Sequence, residues 1–235
     1  MDFTPHFTAR SIKTAGEPNM QRAYELRYNV YCVERRFLDA GSYPDGLETD
    51  AYDKKSEHFC SYNLKHELVG YVRLIASGAG GRFPWQDYCH DLLEGVRLPP
   101  RSESAEISRL MVRQDYRRRR GDTLSGVARS GNSDVRPAER RTLTPQILLT
   151  LYRQMYHHSL SSGIRYWYAA MEGSLARSLQ LMGFPFNKIG CETDYFGPVA
   201  PYVADIRELE KRLEKSNPEL LAWIQRPDRS DCSDS

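Results

Sequence analysis

The chain opens on a loose alternation of apolar and polar residues from His6 to Lys13, with Phe7, Ala9 and Ile12 as its apolar positions. This predicts a first β-strand, closed by Ala15-Gly16-Glu17-Pro18. From Asn19 the period changes. Ala23, Leu26, Val30 and Val33 recur at the spacing of one helix face. Phe37 to Lys55 keeps no period and is rich in Gly, Pro, Asp and Tyr, so it reads as a loop. The runs 57–64 and 67–75, joined by Lys65-His66, then read as an antiparallel hairpin. In the second run Arg73 alternates in phase with Val69, Tyr71 and Ile75. It therefore points to an apolar face and requires an acidic partner or an anionic ligand there.

Glu106 to Arg113 alternates again and predicts a core strand whose charges are fixed inside a cleft. Beyond it come the basic run Arg117-Arg118-Arg119-Arg120 and then residues 121–141, rich in Gly, Ser, Asp and Arg. With almost no large apolar residue, 121–141 cannot add to a core and read as a mobile surface insertion. Thr144-Pro145 supplies an N-cap and a first-turn proline for a helix with the stripe Ile147, Leu148, Leu151, Met155 and Tyr156, ended by Gly163. A strand over 164–171, a short helix over 174–182 and strands over 184–190 and 199–206 follow. Asp205 and Glu208 are spaced as a capping box for a final helix that Pro218 interrupts. The order predicts one mixed α/β domain over 1–226, without internal repeat, and a polar tail at 227–235.

Composition changes this picture little. The 235 residues are 40% hydrophobic and 27% charged, as in soluble globular proteins. A net charge of +2 does not select nucleic acid or a membrane as partner. No apolar run is long enough to span a bilayer, and Met1-Asp2-Phe3-Thr4-Pro5 has neither the basic start nor the apolar stretch of a secretory signal, so a cytoplasmic location is expected. Five scattered cysteines without a C-x-x-C pair speak against a disulfide framework and a zinc site. The loop acids Glu48, Asp50 and Asp53 lack the glycine and spacing of a calcium-binding hand, so no metal is expected.

The set Arg27, Tyr31, Phe37, Asp50, Asp53, Arg73, Phe83, Glu106 and Arg109 resembles the signature of acyl-homoserine-lactone synthases, autoinducer-making enzymes of the GNAT acyltransferase fold. The second half carries three further stretches, beginning at Thr144-Pro145, at Trp167-Tyr168 and at Ala200-Pro201. These resemble the PEP-CTERM/exosortase system-associated acyltransferases, relatives of the N-acyl amino acid synthases. The resemblance implies a GNAT-type α/β fold, a mixed central sheet flanked by helices. It also implies transfer of a fatty acyl group to an amine from a phosphopantetheine thioester, on acyl carrier protein or coenzyme A, with no cofactor held by the chain. Tyr31 and Phe37 stand where lactone synthases often carry Phe and then Trp. Arg118 to Thr123 gives half of the GNAT pyrophosphate-binding turn. N-acyl amino acid synthesis, lactone synthesis and a thioester sensor without turnover are thus the readings to separate.

Amide formation from a thioester requires an unprotonated amine, a carbonyl within its reach and donors for the oxyanion. Glu106 is assigned as base, directly or through a water, its pKa raised by a partly apolar cleft. Backbone N–H groups at Leu110, Met111 and Val112 are assigned to the oxyanion and the pantetheine. Arg27, Arg73 and Arg109 either grip the carboxylate of an amino-acid acceptor or pair with Asp50 and Asp53. Strict alternation places Glu106 and Arg109 on opposite faces. Either a bulge turns one of them round, or Arg109 is a structural pair for the loop acids. Arg113, Arg117, Arg118, Arg119 and Arg120 form a docking surface for an acidic carrier protein, a solvated charge run or a nucleic-acid patch, the last without the interleaved aromatics that such a patch favours. Aromatics from Phe83 to Tyr88 and at Tyr31 line an acyl slot or fill core, and Trp167 fills core.

Overall fold

The structure, a computed structural model, describes residues 3–12, 18–76, 81–117, 137–195 and 197–227, with the backbone alone at 137–142. Lys13, Arg118, Arg119, Arg120, residues 121–136 of the expected insertion and the tail from 228 lie outside the described residues. The described residues gather into two compact units, one drawn from those between 3 and 73 and between 109 and 154, the other from those between 74 and 108 and between 155 and 227.

In the first unit β1 (Phe7–Ile12) runs antiparallel to β2 (Ser56–Asn63), from Phe7 opposite Asn63 to Ile12 opposite His58. Next come β3 (Leu68–Ala76) and β4 (Ser104–Val112), with the Arg113 N–H donating to the Val69 carbonyl at 2.8 Å. From Leu68 to Ile75, β3 is buried at every position, so its alternation separates two covered faces. Helix α1 (Pro18–Tyr28) starts on a proline, which fits the first turn because no N–H is needed there. It packs Met20, Ala23 and Leu26 with Ile12, Cys60, Tyr71 and Met111 into one core.

The helical period fails after Tyr28. Asn29–Glu34 is π-helical, with the Arg35 N–H reaching the Val30 carbonyl at 3.0 Å. The wider turn brings Cys32 inward and leaves Val33 53% exposed, so Val33 does not join the apolar face expected of it.

Helix α2 (Pro137–Ser161) begins at Pro137 and not at Thr144. Two prolines offer the same first-turn signal. The hydroxyl of Thr144 donates to the Tyr116 carbonyl at 2.5 Å, and Pro145 lies inside the helix. Residues 137–141, expected within the insertion, are therefore helical. Against β3, α2 approaches closely: a Cβ at Gly70 would stand 2.5 Å from Ile147 Cγ2, which is why a glycine sits at that point.

In the second unit β4 pairs parallel with β5 (Tyr166–Met171), from Ser104 opposite Tyr166 to Glu106 opposite Tyr168. β5 is antiparallel to β8 (Pro198–Asp205), and β8 also carries β6 (Asn187–Lys188) and β7 (Thr193–Asp194). Parallel and antiparallel pairs make the sheet mixed, as expected. The strand expected over 184–190 contracts to two residues because Phe184, Phe186 and Ile189 are drawn into core, and β7 was not expected. Helix α3 (Gly173–Leu181) stops before Gly183, whose φ of +93° glycine tolerates without strain. Asp205 caps α4 (Ile206–Ser216) by accepting from the Arg207 N–H, while Glu208 accepts from Lys211 at 2.8 Å, so the expected capping box does not close. Pro218 opens α5 (Pro218–Gln225), and Trp167 fills core with its Nε1–H donating to the Ser159 hydroxyl at 2.9 Å. Among the described residues no helix is long and apolar enough to cross a membrane.

Candidate active site

Three arginines and three carboxylates meet inside the first unit. Arg27, on the last turn of α1, donates from Nε to Glu48 Oε2 at 2.5 Å and from Nη1 to Asp53 Oδ1 at 2.6 Å. Arg73, on β3, donates to both Asp50 oxygens at 2.5 and 2.9 Å and to Asp53 Oδ1 at 2.6 Å. Arg109, on β4, reaches Glu48 Oε1 at 3.0 Å and Asp50 Oδ2 at 3.2 Å. Arginine's planar fork suits such shared contacts, and three charges of each sign balance. Arg27 and Glu48 are fully buried at their side chains, whereas Asp50 is 23% and Arg109 10% exposed. Burial pushes the Glu48 carboxyl up, but the hydrogen bonds and charges of Arg27 and Arg109 outweigh it and hold the group below the usual carboxylate range. Asp50 is depressed in the same way, with Arg73 as the chief partner opposing burial.

The loop acids are fixed by backbone hydrogen bonds within the loop and to α1. Asp53 Oδ2 accepts from the Asp50 N–H at 2.7 Å, Asp50 Oδ1 from the Tyr52 N–H at 2.8 Å, and the Glu48 N–H donates to the Tyr24 carbonyl at 3.2 Å. Among the described residues no group of three or more His, Cys, Asp or Glu is arranged to hold a metal ion. The π-helical turn adds an aromatic wall. The Tyr31 carbonyl accepts from the Phe37 and Leu38 N–H groups at 2.8 and 3.3 Å, bringing the Phe37 ring edge-on to Tyr31 at 5.9 Å. The Arg109 guanidinium lies over the Tyr31 ring at 4.8 Å.

The φ of +56° at Arg109 breaks the alternation of β4, as a bulge would, and its side chain pairs with the loop acids. Leu110, Met111 and Val112 continue β4, the last two buried.

Glu106 belongs to the second unit. It is 3% exposed, and its Oε2 accepts from the Trp85 backbone N–H at 3.0 Å. Trp85 lies in a short 3-10 turn, Pro84–Asp87, opened by Phe83, whose N–H donates to Gln86 Oε1 at 3.1 Å. Phe83, Trp85, Cys89, Tyr168 and Ile189 form one core cluster. Burial, and then the charge of Glu106, push the Cys89 thiol up to about 11, so this cysteine stays protonated at neutral pH. The segment is pinned to the sheet by Leu93 N–H to Ile189 carbonyl at 2.9 Å and by the stacked rings of Tyr88 and Tyr195 at 3.7 Å. Glu106 thus sets a buried carboxyl group against the backbone of the turn that carries this cluster.

The sequence model of the acetyltransferase (GNAT) domain family matches residues 26–126, a span that holds the arginine–carboxylate network and Glu106. The fold is that of the GNAT acyltransferases. An acyl-homoserine-lactone synthase of Vibrio anguillarum is 24% identical over 167 residues, 71% of this chain and 74% of its own. The CoA-dependent acyl-homoserine lactone synthase BjaI, solved with SAM and isopentyl-CoA, superposes with a TM-score of 0.61 at 19% identity over 94% of this chain and 91% of its own. FeeM, an N-acyl amino acid synthase from uncultured soil microbes, superposes with a TM-score of 0.52 at 16% identity over 89% and 96%. These three are named for lactone and N-acyl amino acid synthesis, and none of them for an exosortase system.

The described arginines of the basic run are held by acids. Arg113 donates twice to Asp115 at 2.8 Å, and Arg117 pairs with Glu34. Sequence reading brought out Arg27, Arg73, Asp50 and Asp53 but treated Glu48 as one more loop acid and missed His58 and Tyr71. Glu48 meets Arg27 across 21 positions and Arg109 across 61, so no local pattern ties it to them. The signal that could have found it was the charge count: three arginines on apolar strand and helix faces require a third carboxylate.

Proposed function

We propose that this GNAT-fold chain is an N-acyltransferase that moves a fatty acyl group from a phosphopantetheine thioester, on acyl carrier protein or coenzyme A, to the α-amine of an amino acid. The observation that carries this reading is Glu106, a buried carboxylate on β4, three residues before Arg109 with its positive φ. Glu106 takes the proton of the attacking ammonium, the amine forms a C–N bond with the thioester carbonyl, and the C–S bond breaks to release the thiol. Backbone N–H groups at Leu110, Met111 and Val112 are assigned to the oxyanion and the pantetheine. Of the network, Asp50 and Arg109 keep some exposure, so the acceptor's carboxylate is assigned to Arg109, whose guanidinium Asp50 holds, beside Tyr31 and Phe37. Arg27 and Arg73 hold the acids in place. Arg113 and Arg117, with Arg118, Arg119 and Arg120, are assigned to an acidic carrier, and the reaction to the cytoplasm, where such carriers work.

Acyl-homoserine-lactone synthesis is the second reading, supported by the Vibrio anguillarum relative. Mass spectrometry of lipid extracts from bacteria expressing the wild type or Glu106→Gln separates the two. A new N-acyl amino acid made by the wild type alone is the expected result. An acyl lactone in its place would promote the second reading, and full turnover by Glu106→Gln at saturating substrate would remove the base assignment.

A further inference from the structure

His58 lies on β2, 4% exposed, and takes no part in the chemistry above. Its Nε2 stands 3.0 Å from the Asp53 carbonyl and its Nδ1 2.7 Å from the Tyr71 hydroxyl. The carbonyl can only accept, so Nε2 carries the proton. Nδ1 is then a lone pair, and Tyr71 donates to it. On the far side of Tyr71, Arg27 Nη1 donates to the same hydroxyl oxygen at 3.5 Å. The Asp53 carbonyl also accepts from the Ser56 N–H, so His58 and the backbone together fix the residue whose carboxylate binds Arg27, Arg73 and the Asp50 N–H.

We propose that His58 is a positioning residue for the acceptor site: through the Asp53 carbonyl on one ring nitrogen and the Tyr71 hydroxyl on the other, it sets the place of Asp50. The inference rests on the assignment of Arg109, held by Asp50, to the amino-acid acceptor. It holds only while the ring is neutral. A proton on Nδ1 would face the Tyr71 oxygen where Arg27 already donates, and the phenol would have to turn its own hydrogen elsewhere. The charged groups facing His58 are Asp53 from the loop, Arg27 from α1 and Arg73 from β3, with Tyr71 beside it on β3. Burial first, and then the two guanidiniums against Asp53, keep the imidazole below its ordinary range, and burial keeps the Tyr71 hydroxyl protonated. Acidification should therefore weaken acceptor binding before it touches the thioester donor.

The test is the KM for the amino-acid acceptor from about pH 8 down to the lowest pH at which each protein stays folded, in wild type, His58→Gln and Tyr71→Phe. The wild-type KM should rise with acidification by about fivefold more than that of His58→Gln, the factor expected when one hydrogen bond's net contribution is lost. Titration of the acceptor's own ammonium is common to both proteins and cancels in this ratio. Tyr71→Phe keeps the ring in the core and should raise the KM already at the higher pH, with kcat changed less. Equal acid responses in wild type and His58→Gln would overturn the proposal, as would a wild-type KM in Tyr71→Phe, which decides the matter alone if His58→Gln does not fold. A wild type that acylates no amine would remove the functional reading beneath it, whereas turnover with equal acid responses removes the positioning claim only.

Discussion

Arg27 has no exposed side-chain surface and touches Glu48 and Asp53 at 2.5 and 2.6 Å. Arg27→Ala would leave those two buried carboxylates one cation short, and we expect it to cost about 3–5 kcal/mol in chemical denaturation. Arg27→Lys keeps the charge but not the fork, so it should lose part of that amount. A loss below about 1 kcal/mol for the alanine variant would mean that water replaces the guanidinium and that the network is a surface feature. At this scale the sequence was informative where burial could be inferred: Arg73 sits in phase with Val69, Tyr71 and Ile75, so a buried partner was required, and Asp50 and Asp53 supply it. Which of the two open roles Arg109 plays could not be read. Its positive φ is a backbone state that no neighbouring residue type announces.

Helix α2 carries the sharpest prediction among the elements. Because Pro145 lies inside the helix and not at its start, it removes one N–H···O bond, and Pro145→Ala should raise both helicity by circular dichroism and stability by about 1–3 kcal/mol. A neutral or destabilising result would return the helix start to Thr144. The π-helical turn after α1 was beyond pattern reading for a related reason. Apolar spacing assumes 3.6 residues per turn, whereas the wider π-turn buries Val30 and Cys32 and leaves Val33 out. Strands with strict alternation, β2 to β4, were legible almost to their ends, whereas β6 and β7 are two residues each and carry no period to read.

For the molecule as a whole, the buried titratable groups set the acid limit of stability. His58 is depressed below its ordinary value of 6.5, so below about that pH the unfolded chain binds a proton that the folded chain refuses, and stability falls. Glu48 and Asp50 are also depressed. Their contribution is complete above the ordinary values of 4.5 and 3.8 and is lost as the pH falls through the lower folded values. Melting temperature should thus begin to fall below about pH 6.5, and His58→Gln should delay that onset to the carboxylate range. An onset in the carboxylate range already in the wild type would place His58 in contact with solvent.

The sequence by itself determined the order of elements, the mixed α/β class, the need of Arg73 for a buried counter-charge and the fitness of Glu106 as a buried carboxylate. These follow from periodicity and from the cost of burying charge, both of which act on neighbours along the chain. Tertiary structure alone decided that Glu48 completes the arginine network, that Arg109 adopts a left-handed backbone and that His58 and Tyr71 brace Asp53. Those pairings join residues from separate elements. Their geometry is fixed by packing and by the balance of buried charge, for which a linear pattern carries no signal.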